Sequence, residues 1–158
     1  MERAIRILYL LESLFLTDPF SHKEMSTTNA RFNGVRIFDD CLGTCRLAAT
    51  DPKLQLDCLN AVTGWELTLE DIFTIGRRVI NQLRMFNFRH GMKKDDERPS
   101  KRYGSIPVDG PARGKNIMEK WDQMIKNYYT LMGWHPETGE PLPETLKKLG
   151  LEELTKGR

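Results

Sequence analysis

Residues Asp39 to Cys45 (DDCLGTC) place two adjacent carboxylates, two thiols and a glycine within one short segment. Three residues separate Cys41 from Cys45, a spacing that puts both thiols on one face of a helix or lets them converge in a turn around Gly43. Either geometry permits both thiolates to bind one metal. A closed zinc or iron–sulfur site needs about four ligands, however. Besides this segment the chain offers only Cys58 and three histidines, so we expect no complete metal site from this chain alone.

Packing is the alternative explanation for the same residues. A free cysteine often behaves as a small buried hydrophobe, which would account for all three thiols without any ligand. Asp40 could equally cap a turn, with its carboxylate accepting backbone N–H bonds near Gly43. The spacing of these residues therefore leaves ligation and packing both open.

The composition restricts the range of functions. A chain of 158 residues, 39% of them hydrophobic, is long enough for one compact domain with a real core. Its 24 Lys and Arg nearly balance its 22 Asp and Glu, so no strong field favours nucleic acid or an anionic membrane. Three cysteines are too few for a secreted disulfide framework, which favours a reducing, cytoplasmic location.

The most apolar stretch is residues 5–16 (IRILYLLESLFL), whose spacing predicts a helix that ends at Asp18-Pro19. This run contains Arg6 and Glu12 and falls short of the roughly 20 residues that cross a bilayer. Glu12 also disfavours a signal peptide, because it interrupts the apolar run. The predicted helix is apolar on most of its surface. Such a helix needs cover on more than one side, which a neighbouring domain supplies well.

Helical periodicity dominates the rest of the chain, and β-type alternation is nearly absent. We predict helices over residues 54–63, 68–89, 117–131 and 144–149. Three glycines are the expected C-terminal stops, namely Gly64, Gly133 and Gly150. The expected buried face of the second helix consists of Ile72, Ile75, Val79, Leu83 and Phe86.

The segments between these helices lack clear periodicity. Residues 21–33 predict a loop, and residues 34–38 predict a short extended piece that leads into the cysteine segment. Residues 93–114 hold several prolines and glycines, which exclude long regular structure. The predicted fold class is therefore all-α, an irregular helical domain with long ordered loops. We expect a single domain over residues 1–158.

A series of motifs resembles the C-terminal part of the tungsten-containing aldehyde:ferredoxin oxidoreductase family. The motifs are, in order, Asp40-x-x-Gly43-x-Cys45, Asn60-Ala61-Val62-Thr63-Gly64-Trp65, Phe86-Asn87-x-Arg89-x-Gly91, Asp95-Asp96, Pro111-x-x-Gly114-Lys115 and the run from Tyr128 to Gly139. Agreement of several separated motifs in order and spacing is far more specific than any one of them. Residues 34–151 carry the resemblance, and residues 1–33 match less clearly.

The resemblance implies two roles for the opening segment. Cys45 would supply one thiolate to a 4Fe–4S cluster, and Asp40 would bind the amino end of one of the two molybdopterin-type pterins that hold tungsten. Thr44 would offer backbone contacts to the same cofactor. A thiolate is a soft ligand suited to iron, whereas a carboxylate only accepts hydrogen bonds and pairs well with pterin N–H donors. The remaining cluster cysteines and the acid or base groups near the metal lie outside this chain, so no catalytic residue is assigned here.

This sequence departs from the family pattern at three positions. Thr44 stands where the family usually has leucine, and Cys41 stands where it has serine or a similar small residue. His90 replaces a frequent glutamate. If the leucine acts through its backbone, a threonine can serve in its place.

The other candidate residues have simpler structural explanations. Three histidines show no metal-ligand spacing and are expected in solvent or at helix ends, namely His22, His90 and His135. Asn60 and Thr63 are weak site candidates, because the resembling segment approaches the cofactor in the family. Trp65 is expected to pack at a helix end, and Arg89 to form a structural salt bridge. The basic residues between 93 and 102 alternate with acids, which predicts a solvated loop.

The resemblance implies that the complete enzyme oxidises an aldehyde to a carboxylic acid with water and passes two electrons through the cluster to ferredoxin. Its expected partners are the N-terminal cofactor-binding domains of the same enzyme and ferredoxin, and the chain could form a homo-oligomer. The alternative from another class is a stand-alone, non-catalytic helical interaction module derived from such an enzyme. A further alternative within the family is a homologue that acts on another substrate, such as an aromatic acyl thioester.

Overall fold

The computed structural model describes residues 18, 20–45 and 51–156, so the helix predicted over residues 5–16 lies outside the described residues. The all-α prediction is confirmed, because these ranges hold α-helices and short 3-10 helices but no strand. The α-helices are α1 (His22–Leu42), α2 (Pro52–Thr63), α3 (Leu69–Arg89), α4 (Trp121–Met132) and α5 (Pro143–Lys148). The 3-10 helices are Lys94–Glu97, Lys101–Gly104, Ile117–Lys120 and Glu152–Thr155. No helix in this part of the chain is long and apolar enough to cross a membrane.

The described residues form two compact units. The first comprises the residues up to 31 together with 93–139, and the second comprises 32–92 together with 140–156. The candidate site segment and the helices α2 and α3 belong to the second unit. The prediction of a single domain over residues 1–158 stays a prediction.

The predicted loop over residues 21–33 and the predicted extended piece over residues 34–38 are both wrong, because α1 runs through them as one helix of 21 residues. Its buried apolar residues are Ala30, Phe32 and Phe38, which do not recur at the three- or four-residue spacing of a helix face. A buried polar side chain also bonds to the backbone of this helix, since the Ser26 hydroxyl donates to the carbonyl of His22 at 2.8 Å. The helix depends on tertiary packing more than on its own periodicity, which explains why its sequence pattern is weak.

Two glycines allow α1 and α3 to cross with their backbones in contact. A Cβ atom added at Gly76 would lie 1.9 Å from the carbonyl oxygen of Gly34, and one added at Gly34 would lie 2.9 Å from the carbonyl oxygen of Phe73. Neither position has room for a side chain. This crossing fixes α3 against the half of α1 that leads to the candidate site.

Helices α2 and α3 end at the residues that the sequence predicted; α3 begins within one residue of the prediction, and α2 begins two residues earlier than predicted. The Asp51 carboxylate accepts from the N–H of Lys53 at 2.8 Å at the start of α2, and Gly64 ends that helix with a φ of +73°. Thr68 and Asp71 form a capping box at the start of α3. The hydrogen bonds from the side chain and the backbone of Thr68 lower the pKa of Asp71 below its ordinary value of 3.8.

The buried face of α3 differs in part from the prediction. Ile72 is buried as expected, whereas Leu83 and Phe86 are exposed. The helix instead buries a face that includes Gly76, Ile80 and Met85. A hydrophobic pattern cannot reveal a face whose centre is a glycine selected for close approach. That face follows from the crossing with α1.

The second unit has two apolar clusters along α3. Phe38, Leu56 and Ile72 pack together beneath the C-terminal end of α1, and Leu42 and Leu59 pack against them. Farther along α3, a cluster of apolar residues from the C-terminal region covers Met85, namely Leu146, Leu149, Leu151 and Leu154. The first cluster supports the segment that contains the candidate site.

The first unit is organised around α4, which Gly133 ends with a φ of +72° as predicted. The buried Tyr129 donates its hydroxyl to Glu97, and Trp134 packs edge-on against Tyr128 with ring centroids 5.7 Å apart. Lys126 contacts Glu137 at 2.5 Å, and this hydrogen bond and charge lower the pKa of Glu137 below its ordinary value of 4.5. Residues 98–116 form an irregular loop with one 3-10 turn, which agrees with the predicted absence of long regular structure.

Candidate functional site

The candidate site lies at the C-terminal end of α1 and is built by a Schellman motif. Gly43 has a φ of +68°, its N–H bonds to the carbonyl of Asp40 at 3.3 Å, and the N–H of Thr44 bonds to the carbonyl of Asp39 at 3.1 Å. These two bonds are the pair that defines the motif, with glycine at the left-handed position. The motif explains why a glycine must follow Asp40 by three residues. It also reverses the chain immediately before Cys45.

The hydroxyl of Thr44 reinforces the turn. It donates to the carbonyl of Asp39 at 3.2 Å and lies 3.5 Å from the side-chain oxygen of Gln55 on α2. The turn is therefore tied both to the end of α1 and to the neighbouring helix. Threonine supplies a contact here that the usual leucine could not make.

The turn brings the three predicted cofactor-binding residues together at the surface. Asp40, Thr44 and Cys45 are all exposed. They lie within one six-residue segment, with Asp40 before the chain reversal and Thr44 and Cys45 after it. A carboxylate or thiol sealed in an apolar interior would have excluded the predicted roles. Neither is sealed, so both groups are accessible to a cofactor carried by another part of a larger protein.

The packing explanation for the cysteines is wrong. Cys41, Cys45 and Cys58 are free thiols, and all three are exposed. Cys41 lies in the last turn of α1, whereas Cys58 lies on α2. Within the described ranges, no three His, Cys, Asp or Glu side chains converge as a metal-binding group. Any metal bound through Cys45 would thus need ligands from elsewhere.

Asn60 and Thr63 serve the fold in this structure. The amide of Asn60 donates to the carbonyl of Leu67 at 2.9 Å and accepts from the N–H of Leu67 at 3.1 Å, which fixes the connection between α2 and α3. The hydroxyl of Thr63 donates to the carbonyl of Leu59 at 2.7 Å. Trp65 was expected to pack at the helix end, but it is exposed.

Arg89 and the histidines have structural roles. Arg89 donates to the carbonyl of Leu154 at 2.8 Å, so it binds a backbone carbonyl of the C-terminal segment where we expected a carboxylate. His90 lies at the end of α3 and stacks on Phe86 with ring centroids 4.0 Å apart. The ring nitrogen Nδ1 of His135 accepts from two backbone N–H groups of the following turn at 3.3 Å each. The expectation that these two histidines lie at helix ends or in turns is confirmed.

Sequence reasoning missed the part played by Asp39. This residue is only 6% exposed, although its neighbour Asp40 is exposed. Its backbone carbonyl accepts from both the N–H and the hydroxyl of Thr44. An acceptor on the backbone leaves no mark on residue type, so the only available signal was the glycine four residues later.

Comparisons with known proteins identify the family. The family described as aldehyde ferredoxin oxidoreductase, domains 2 & 3, matches residues 6–151. The chain is 39% identical over 130 residues to the tungsten-containing aldehyde ferredoxin oxidoreductase of Pyrococcus abyssi, covering 78% of this chain and 20% of that relative. It is 40% identical over 131 residues to the protein of the same name from Pyrococcus furiosus, with the same two coverages. A third relative, from Thermococcus kodakarensis, is 38% identical over 131 residues.

The chain thus contains a helical region that matches a class of oxidoreductases. It belongs to the aldehyde ferredoxin oxidoreductase family, and the matched part is the one that comprises domains 2 and 3. The match begins at residue 6, so it also includes most of the stretch that the motifs left unaligned. The chain spans about a fifth of the length of the curated relatives that it matches.

Proposed function

We propose that this chain is the C-terminal part of a tungsten–pterin, iron–sulfur enzyme that oxidises aldehydes to carboxylic acids and uses ferredoxin as electron acceptor. One observation carries the proposal. The Schellman motif at the end of α1 presents an exposed carboxylate, Asp40, and an exposed thiol, Cys45, at the two positions of the family motif. The similarity to tungsten-containing relatives over 78% of the chain supports the same assignment.

Each residue of the turn has a distinct role in this proposal. Cys45 ligates one iron of a 4Fe–4S cluster through its thiolate, since soft sulfur ligands suit iron. Asp40 accepts hydrogen bonds from the N–H donors of a pterin. The N–H of Thr44 is already bonded to Asp39, so its carbonyl oxygen is the atom left for a backbone contact with the cofactor.

The chain's own contribution is to hold and orient these groups. When bound, the tungsten–bispterin centre and the cluster supply the redox chemistry. Both require residues from outside this chain, so the partners are the N-terminal cofactor-binding domains of the same enzyme, and the isolated chain is inactive. Ferredoxin as acceptor, a homo-oligomeric state and a cytoplasmic location belong to the same proposal.

Substitution of Cys45 in the complete enzyme tests the proposal. Cys45→Ala removes one of four cluster ligands, so we expect the iron content and the electron paramagnetic resonance signal of the reduced cluster to be lost or strongly reduced. Cys58→Ala is the matched control, because Cys58 is also an exposed thiol but lies outside the turn. The control should keep both signals.

Retention of iron and of the cluster signal in Cys45→Ala would refute the role of this thiolate. The non-catalytic module makes a different prediction. If the complete protein is purified without iron and without visible absorbance from cells supplied with iron and tungsten, the module replaces the enzyme as the better account.

A further inference from the structure

The loop between residues 98 and 115 carries an excess of positive charge. It contains five basic residues and a single acid, Asp109, and the basic ones are Arg98, Lys101, Arg102, Arg113 and Lys115. The sequence predicted a solvated loop for the basic residues between 93 and 102, because they alternate with the acids at positions 95–97. In the structure, two of those three acids are hydrogen-bonded to other groups.

Two nearby acids are engaged by other groups. The carboxylate of Asp96 accepts from the backbone N–H of Lys93 at 2.7 Å, and Glu97 accepts the hydroxyl of the buried Tyr129. Arg98 lies 3.6 Å from Asp122, and the ammonium of Lys115 lies 3.5 Å from the centre of the Phe20 ring. Lys101, Arg102 and Arg113 remain, and among the described residues none of them has an acidic partner.

In the sequence, exposed apolar residues lie between these cations. Tyr103 is 71% exposed, Ile106 is 55% exposed and Val108 is 84% exposed. We name these six residues the basic–apolar patch, which consists of Lys101, Arg102, Tyr103, Ile106, Val108 and Arg113. An apolar centre with charged neighbours is the composition of a protein-binding surface.

Two contacts fix the two parts of the patch. The N–H of Gly114 bonds to the carbonyl of Pro107 at 3.0 Å, which closes the loop and brings Arg113 back beside Val108. At Gly104 an added Cβ would lie 2.9 Å from a side-chain carbon of Met118, so the Lys101–Gly104 turn rests directly on the next 3-10 helix. The cations and the apolar side chains therefore belong to one loop whose two parts are each fixed by a contact.

We propose that the basic–apolar patch is the docking surface for an acidic protein, and that this protein is the ferredoxin acceptor. The identity of the partner rests on the proposed function, whereas the acidic character follows from the unneutralised cations. A small patch suits a transient electron-transfer encounter, which buries less surface than a stable complex. The charges would steer the encounter and raise its rate.

Other classes of partner fit the patch less well. Single-stranded nucleic acid is bound by stacking of successive bases on several aromatic rings, whereas the patch has a single ring, that of Tyr103. Surfaces that recognise anionic lipid cluster about four to eight Lys and Arg, more than the three cations without an acidic partner here. An acidic protein surface matches both the small number of cations and the aliphatic centre.

Binding of an acidic ferredoxin to the 158-residue chain tests the proposal without any cofactor on the chain. The test variant is Lys101→Gln/Arg102→Gln/Arg113→Gln, and the matched control is Lys147→Gln/Lys148→Gln/Lys156→Gln. Each variant loses three positive charges, so the net charge falls equally. Biolayer interferometry at low salt should show that the test variant binds ferredoxin at least roughly fivefold more weakly than wild type, whereas the control binds as wild type does. The difference should vanish on the order of 0.5 M salt.

The apolar centre is tested separately by Ile106→Ser/Val108→Ser, which leaves the charge unchanged and should also weaken binding. Circular dichroism of each variant checks that the helices remain. Equal ferredoxin binding by wild type, test variant and control would overturn the proposal, as would binding only to vesicles of anionic lipid or to single-stranded DNA. The ferredoxin-binding test does not involve the cluster, and the cluster test of Cys45→Ala does not involve the patch. The two proposals can therefore fail independently.

Discussion

Gly43 decides the shape of the candidate site at the scale of single residues. Its φ of +68° lies in the left-handed region, and a Cβ at this position would meet no atom within 4 Å. The glycine is thus required for its backbone conformation and not for lack of space. A residue with a side chain would push the reversal between Asp40 and Cys45 away from its present geometry.

We expect Gly43→Ala to lower the free energy of unfolding by about 1–2 kcal/mol, the cost of placing a non-glycine residue in the left-handed region. Urea denaturation of the chain measures this value. In the complete enzyme the same variant should also lose iron, because Cys45 follows the distorted turn.

Gly64→Ala is the matched control for this prediction. Gly64 has a φ of +73° and likewise no atom within 4 Å of an added Cβ, but it ends α2 and lies outside the turn. Gly64→Ala should lower the free energy of unfolding about as much as Gly43→Ala does, and it should leave the iron content unchanged. Equal iron retention in the two variants would show that the turn does not position a ligand.

At the scale of elements, the crossing of α1 and α3 controls how the site is held. The 1.9 Å separation between an added Cβ at Gly76 and the carbonyl oxygen of Gly34 is far below any allowed contact. Backbone atoms cannot move aside as a flexible side chain can. A single methyl group would therefore force the two helices apart.

We expect Gly76→Ala to destabilise the chain by about 3 kcal/mol, the upper part of the usual range for overpacking. Thermal unfolding followed by circular dichroism measures the loss. Gly104→Ala is the comparison, because its added Cβ would meet only the flexible side chain of Met118 at 2.9 Å. A smaller loss at Gly76 than at Gly104 would contradict the close backbone crossing.

The elements also show what the sequence could and could not predict. Local signals located α2 and α3 correctly, because Asp51, Gly64, Thr68 and Asp71 act within one turn of the helix ends. Helix α1 was missed because its stability comes from distant packing, with glycine at the crossing. The candidate residues Asp40 and Cys45 were found through the family motif. The basic–apolar patch was not found, because charges adjacent in sequence do not reveal which acids are already bonded.

At the scale of the whole molecule, α2 has an outward face that the described chain leaves uncovered. Leu54, Val62 and Trp65 are all exposed along this helix and just beyond it. Exposed apolar surface of this kind marks an interaction site. The relatives are about five times as long as the matched part, so in the proposed complete enzyme another domain is available to cover this face.

We expect Trp65 to become protected in the complete enzyme. In both proteins, the fluorescence of Trp65 is the difference between wild type and Trp65→Phe. Acrylamide should quench this fluorescence strongly in the isolated chain and weakly in the complete protein. Trp134, which is buried, gives the internal control through Trp134→Phe and should be shielded in both proteins. Equal quenching of Trp65 in both proteins would mean that no domain covers α2.

The turn at the end of α1 also bears on how such an enzyme is assembled. The hydrogen bonds that define the turn join residues close in sequence, so it can form before any metal arrives. During that interval two thiols, Cys41 and Cys45, stand in water four positions apart. Thiolates in water are open to oxidation, and a disulfide or sulfenic acid at Cys45 would block iron. Maturation of the holoenzyme would then be sensitive to oxygen at the step before the cluster is inserted.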